Sequence, residues 1–415
     1  MNKIGEIVIK SANVIKSEII DRTRLVYSIE NNKQCYELYY EVDNEYAQYL
    51  CSEIADGVVI SILSYAMRGG YDIISDIPIS EELYYQINEQ LIPQFVAASK
   101  DVYRTQLISS VVCSKYNPRE TAMAMSCGVD SLTSFYQSTR SNELSAYKVS
   151  MLTFFENGAH HLGTIGHDER ENEVFEAQLV HVQKFCEKIN FPLLVVRSNL
   201  DKVLSELFWK DSYQSTHSFR NAGFVLLFQK LINKYYYGAT YDISQFNGSL
   251  NCGDCAHFDS FLFPNVSTKC TMIYVTASTL SRIEKLQYLK QFPEVHESIL
   301  VCYNGGDNCG KCYKCMRTLV ELDFAGLLNT FQESFDIQDY KLHRNEYLFQ
   351  IYKKRKRDHL YNDICKYAKS HKIDIPISIR FLGSFIEAIA IVIEKVNNVI
   401  SSVSCLFERK ENEVR

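Results

Sequence analysis

The sequence predicts an α/β protein with a mostly parallel sheet and helices on both faces, flanked by an N-terminal α/β accessory domain and a C-terminal helical segment. Three observations carry this. From residue 119, short apolar runs rich in β-formers alternate with stretches of helical spacing, the pattern of βαβ crossovers. Residues 1–118 instead bunch three β-like runs ahead of two helical stretches. Residues 318–415 show helical spacing throughout. The expected domains are 1–118, 119–320 and 321–415.

In the first of these, Ile4–Lys10, Arg24–Ile29 and Cys35–Val42 read as strands, with a turn at Asn31-Asn32. Residues 45–66 and 80–98 carry apolar residues three and four apart and read as helices. Asn117-Pro118 is the expected boundary, because proline disfavours helix in the residue before it. Thr121–Met125, Val149–Phe155, Leu193–Val196 and Ala239–Ile243 then read as strands. Helices are expected from Leu132, around 170–190 and over Asn221–Tyr236. Near the end, Leu382, Phe385, Ile389, Val392, Val396, Val399 and Val403 share one helical face, with Glu387, Glu394 and Asn398 opposite. The simplest reading is a helix packing its apolar face on the core; the alternative is a helix that binds a partner or a second copy.

The chain has 415 residues and a formal net charge of −6, with 46% hydrophobic and 23% charged residues. That composition suits a packed globular protein and argues against a dedicated nucleic-acid binder, which presents a strong positive field. The basic run Lys353–Arg357 is a local exception and reads as a solvated helix face. Charges are spread among the apolar residues of the N-terminus, so it does not read as a signal peptide. Phe381–Phe407 contains Glu387, Glu394 and Lys395, so no membrane span is expected. The expected setting is the cytoplasm, where the 14 cysteines remain reduced and close spacing reads as metal binding or catalysis.

Between an expected strand and helix lies Ser126-Cys127-Gly128-Val129-Asp130-Ser131. Gly128 permits a tight turn and close backbone approach. The amides of the following helix start face a bound anion, and Ser126 and Ser131 add hydroxyls. Asp130 repels phosphate, so its expected work is to hold Mg²⁺ or to orient the loop. No G-x-x-x-x-G-K-[ST] is present, so transfer of the γ-phosphate is not implied.

Cys302, Cys309, Cys312 and Cys315 have the spacing C-x6-C-x2-C-x2-C. Two interlocked C-x-x-C knuckles on a glycine-rich turn can converge on one tetrahedral Zn²⁺ and leave no open coordination position, so the site is expected to be structural. An iron–sulfur cluster is compatible with the same spacing. Cys252 and Cys255 form a further C-x-x-C whose use stays open: reduced thiols, substitute ligands or a substrate loop.

The loop resembles the S-G-G-x-D-S loop of the PP-loop ATP pyrophosphatases, with Cys127 in place of a glycine. Residues 119–320 as a whole resemble the 7-cyano-7-deazaguanine synthase (QueC) family. The parts in order are the loop, Arg220-Asn221, Gly238-Ala239, Gly253-Asp254-Cys255 with Phe258, Ser281-Arg282-Ile283-Glu284 and the cysteine ending. The resemblance implies a PP-loop/HUP-type core, ATP with Mg²⁺, and attack of a carboxylate on ATP to give an acyl-adenylate and pyrophosphate. It implies phosphate-binding roles for Ser126, Cys127, Gly128, Val129, Asp130 and Ser131, and catalytic roles for Asp130, Arg220 and Arg282. Arg282 stands where the family tends to have lysine, and Lys285 one turn along is its expected substitute. The family's substrate is a 7-deazaguanine carboxylate captured by ammonia, and related proteins in anti-phage gene clusters use a protein amine. Residues 1–118 and the C-terminal helices are additions that suit a protein partner. A non-catalytic nucleotide-binding subunit and a sulfur transferase using Cys127 or Cys255 are the alternatives.

Overall fold

The structure is a computed structural model that describes residues 4–32, 34–140, 144–159, 169–208, 212–393 and 396. The chain divides into two compact units, Met1–Asn308 and Cys309–Arg415.

The first unit is built on one ten-stranded sheet in the order β10-β9-β6-β7-β8-β3-β2-β1-β4-β5. The strands are β1 Gly5–Lys16, β2 Arg22–Asn31, β3 Gln34–Asp43, β4 Tyr71–Ser80, β5 Leu107–Val112, β6 Glu120–Ala124, β7 Met151–Phe155, β8 Leu193–Ser198, β9 Ile232–Gly238 and β10 Met272–Thr276. β6 to β10 pair in parallel with their neighbours, as do β1 with β4 and β4 with β5. The meander β1-β2-β3 is antiparallel, and β3 joins β8 antiparallel through Tyr40–Ser198 and Glu41–Arg197. Residues 5–112 therefore extend the same sheet that β6–β10 form.

Helices α1 Asp56–Gly69, α2 Val129–Arg140, α3 Glu169–Ile189, α4 Leu200–Leu207, α5 His217–Leu226, α6 Asp259–Val266 and α7 Arg282–Leu289 belong to this unit. Adjacent residues of a strand point to opposite faces. Phe154 stacks on Phe175 of α3, whereas Phe155 stacks on Phe224 of α5. Helices thus cover both faces of the sheet. On the α5 face, α1 and α5 approach so closely that a Cβ on Gly223 would lie 1.9 Å from Ser61 Oγ.

Several expected elements change. The helix expected from 45 begins at Asp56, whose buried carboxylate accepts the Ser80 amide, the Ser80 hydroxyl and Gln229 Nε2. β4, β5 and β10 carry no expectation at all. Asn221–Tyr236 is not one helix, since α5 ends at Leu226 and the three tyrosines lie in β9. Their rings alternate as a strand requires: Tyr235 stacks on Phe155 while Tyr236 meets Tyr274. Ala239–Ile243 follows β9 and is not a strand.

The second unit contains α8 Tyr313–Phe324, α9 Ile337–Tyr352, α10 His359–Ser370 and a helix over residues 377–393. That last helix reverses the expected packing. Leu382, Phe385, Ile389, Val392 and Val396 are exposed, while Glu387 is buried against Arg355 and the Lys356 amide. An ion pair with Arg355 holds Glu387 inward, so period alone did not show which way the described residues turn. Arg355 of the basic run is thereby paired, while Lys354, Lys356 and Arg357 are exposed. Glu394, Lys395, Asn398, Val399, Val403 and Phe407 lie outside the described residues. Among the described residues no helix is long and apolar enough to cross a membrane.

Candidate functional site

β6 ends at Ala124 and α2 begins at Val129, so the Ser126–Ser131 loop leaves the carboxyl end of a central parallel strand. From β6 the chain moves outward to β7 and β8, and then to β9 and β10 on the other side. The loop thus sits where the strand order reverses, the position at which open parallel sheets bind ligands. Within it, Ser131 Oγ accepts the Ser126 amide at 3.3 Å and donates to Gly128 O at 3.1 Å, and the Gly128 amide reaches Ser126 Oγ at 3.4 Å. A Cβ on Gly128 would meet Ser126 Oγ at 3.3 Å and Leu300 O at 3.8 Å. The first-turn amides of α2 have no acceptor within the helix. This is a fit for an anion.

Cys127 has φ of +55°, a left-handed conformation that costs a non-glycine residue roughly 1–2 kcal/mol. Its side chain is fully buried and its carbonyl accepts the Leu300 amide at 2.9 Å. The thiol stays inside the protein, which is how a side chain is tolerated where the PP-loop pattern has glycine. Burial, with the Cys186 thiol nearby, pushes the Cys127 pKa well above the usual range. A protonated, enclosed thiol is a poor nucleophile.

Three of the expected residues converge. The Asp130 carboxylate takes Lys285 Nζ at 2.8 Å and Arg282 Nη1 at 3.3 Å. Ser281 and Glu284 form a capping box that starts α7 and fixes both cations; the S-x-x-E spacing was the available signal. Lys285 is fully buried and also donates to Ala239 O, just beyond β9. Gly238 is required there, since a Cβ would lie 2.8 Å from Asp130 O. With its two oxygens facing Lys285 and Arg282, Asp130 does not fit a Mg²⁺ ligand; orienting the loop is the expected role that fits.

Arg220 goes elsewhere. It donates to Tyr65 Oη, to Asn157 O and to Asp201, beneath the ends of β7 and β8. It anchors α5 to α1 and does not join the Asp130 group.

A second cluster forms at the start of α5, where His217 Nε2 lies 3.1 Å from Asp254 Oδ1. Cys255 Sγ accepts the Ser218 amide at 3.3 Å. Ser218 Oγ donates to Asp259 Oδ1 at 2.5 Å, and burial pushes the Asp259 carboxyl up to about 7. Cys255 was singled out by its C-x-x-C spacing; His217 and Asp259 were missed. Nothing in periodicity marks a histidine brought 37 residues along the chain to meet Asp254. A cleft lined by Ala239, Tyr241, His257, Val275 and Ser278 also touches Ala256 and Asp259. It therefore runs between the carbonyl that Lys285 holds and the Cys255 cluster.

Cys302, Cys309, Cys312 and Cys315 converge with their sulfurs within 4.8 Å of one another. The amides of Asn304, Cys312 and Cys315 point at the sulfurs of Cys302, Cys309 and Cys312, at 3.3, 3.3 and 3.4 Å. Gly310 has φ of +73°, which the C-G-K-C knuckle takes without strain. Amide donors stabilise thiolates, so the four residues have the donor set to hold a metal ion such as Zn²⁺.

No family model matches the chain, and no curated protein or solved structure is significantly similar to it.

Proposed function

We propose that this chain is an ATP-dependent adenylating ligase. A carboxylate oxygen attacks the α-phosphorus of ATP, an acyl-adenylate forms and pyrophosphate leaves. An amine or ammonia then attacks the acyl carbon, and AMP leaves with the bonding pair. The observation that carries the reading is the Ser126–Ser131 loop at the reversal of strand order, with Asp130 held by Lys285 and Arg282.

Anion binding at a helix start, with two cations beside it, suits departing pyrophosphate, whose negative charge rises in the transition state. Lys285 and Arg282 draw Asp130 away from the anion and leave net positive charge next to the loop. Mg²⁺ enters as the ion ATP carries. A 7-deazaguanine acid is the substrate class that the QueC resemblance suggests for the carboxylate. The acceptor is ammonia or an amine of a partner protein, the setting cytoplasmic.

ATP–pyrophosphate exchange tests this. Exchange is expected only when a carboxylic acid is present, and it should fall at least 100-fold in Asp130→Ala. Tight ATP binding without exchange for any acid, even with a native partner supplied, would favour a non-catalytic nucleotide-binding subunit.

A further inference from the structure

We infer that His217, Asp254 and Cys255 form a second metal site, distinct from the four-cysteine cluster and suited to a divalent ion of borderline softness such as Zn²⁺. One donor atom from each residue lies within 4.8 Å of the others. The residues are 8%, 26% (side chain) and 1% exposed, so the donors meet in a largely dry place.

The surroundings orient each donor. His217 Nδ1 faces Tyr237 Oη at 3.3 Å, which leaves Nε2 for an ion. Asp254 Oδ2 accepts the Tyr241 hydroxyl at 3.1 Å, and Oδ1, which accepts the Ala256 amide at 3.0 Å, keeps a second lone pair for an ion. Cys255 Sγ is held by the Ser218 amide at 3.3 Å and lies 3.2 Å from Ser218 Oγ, contacts that fix the sulfur at the cluster. Nε2 and Oδ1 are 3.1 Å apart, close to the ligand separation that metal–donor bonds of about 2.0–2.2 Å impose in a tetrahedron. Ligands whose other atoms are held by outer partners are what metal sites require.

A separate observation points the same way. Asp259 is 2% exposed and reaches the cluster through Ser218 Oγ, yet its Oδ2 has no hydrogen-bond partner. A buried carboxylate oxygen without a donor is costly. The cluster gathers Asp254, Asp259 and a cysteine around a single imidazole, an acidic surplus that a divalent cation offsets. An imidazole, a carboxylate and a thiolate together match Zn²⁺ better than Mg²⁺ or Ca²⁺, which prefer oxygen. Three protein ligands leave a fourth position open, as in sites where the ion acts on a water or a substrate. Asp259 and Ala256 also line the cleft.

Metal content of the full-length protein, purified and dialysed against metal-free buffer, tests the inference without reference to ATP chemistry. About two equivalents per chain are expected. Cys255→Ser and His217→Ala should each lower the count by one, and Cys312→Ser should remove the other equivalent. An unchanged count in a folded Cys255→Ser protein would overturn the site. Should that variant not fold, iodoacetamide labelling of the unaltered chain decides. Chelator is expected to speed modification of Cys255 at least tenfold while the buried Cys127 remains unlabelled. Fast labelling of Cys255 that ignores chelator would contradict metal ligation and identify a free nucleophilic thiol instead.

Discussion

At the scale of single residues, the sequence made Asp130, Lys285 and Arg282 candidates, and the structure adds that they form one group. Lys285 is fully buried while the Asp130 side chain is 23% exposed. Lys285→Ala should therefore destabilise the fold by about 2–3 kcal/mol, measured by urea denaturation, and abolish exchange. Arg282→Ala, at a side chain 8% exposed with a longer contact to Asp130 of 3.3 Å, should cost somewhat less, about 1–2 kcal/mol. A Lys285→Ala protein as stable as the unaltered chain would contradict the burial of this ion pair. Glu156 offers a pH test away from the site. Burial raises its pKa to about 7, against the Ser198 amide and Arg197, which lower it. The folded state then holds a proton up to about pH 7 that the unfolded chain releases near 4.3. Its contribution to stability is full below about 4.3 and is lost as pH rises to 7. Relative to Glu156→Gln, the unaltered protein should lose at most about 4 kcal/mol over that range. A difference that stays flat with pH would refute the assignment.

Among elements, the β6–loop–α2 unit was legible because an apolar run, a glycine turn and a helical period follow one another within a few residues. β9 was not, because three consecutive tyrosines after a helix have no distinctive period; rings on both faces make them a strand. The pairing of α1 with α5 was equally hidden, for it depends on Gly57 and Gly223 meeting from distant parts of the chain. A Cβ on Gly57 would lie 2.7 Å from Gly223 O, and one on Gly223 2.6 Å from Gly57 O. Gly223→Ala should thus lower stability by about 3 kcal/mol through overpacking. Thermal melting reads this, and an unshifted melting temperature would mean the helices separate easily. The same helix pair carries Arg220 and His217, so its spacing sets where the second cluster lies.

Over the whole molecule, the alternating pattern from residue 119 identified the parallel half of the sheet. The antiparallel meander was also visible, but its union with the other half was not. Pairing of β3 with β8 rests on few residues, and edge-to-edge pairing leaves no pattern in either strand. The cysteine ending was the most readable part, since its ligands are close in sequence. The His217 cluster was the least, its members being scattered over α5, a loop and α6. The central proposal is cleavage of ATP between the α- and β-phosphates at the loop on the strand reversal. Products formed from α-labelled ATP in the presence of 7-carboxy-7-deazaguanine and ammonia test it most directly. Labelled AMP, with pyrophosphate in equal amount, is the expected result; labelled ADP with free phosphate would contradict it.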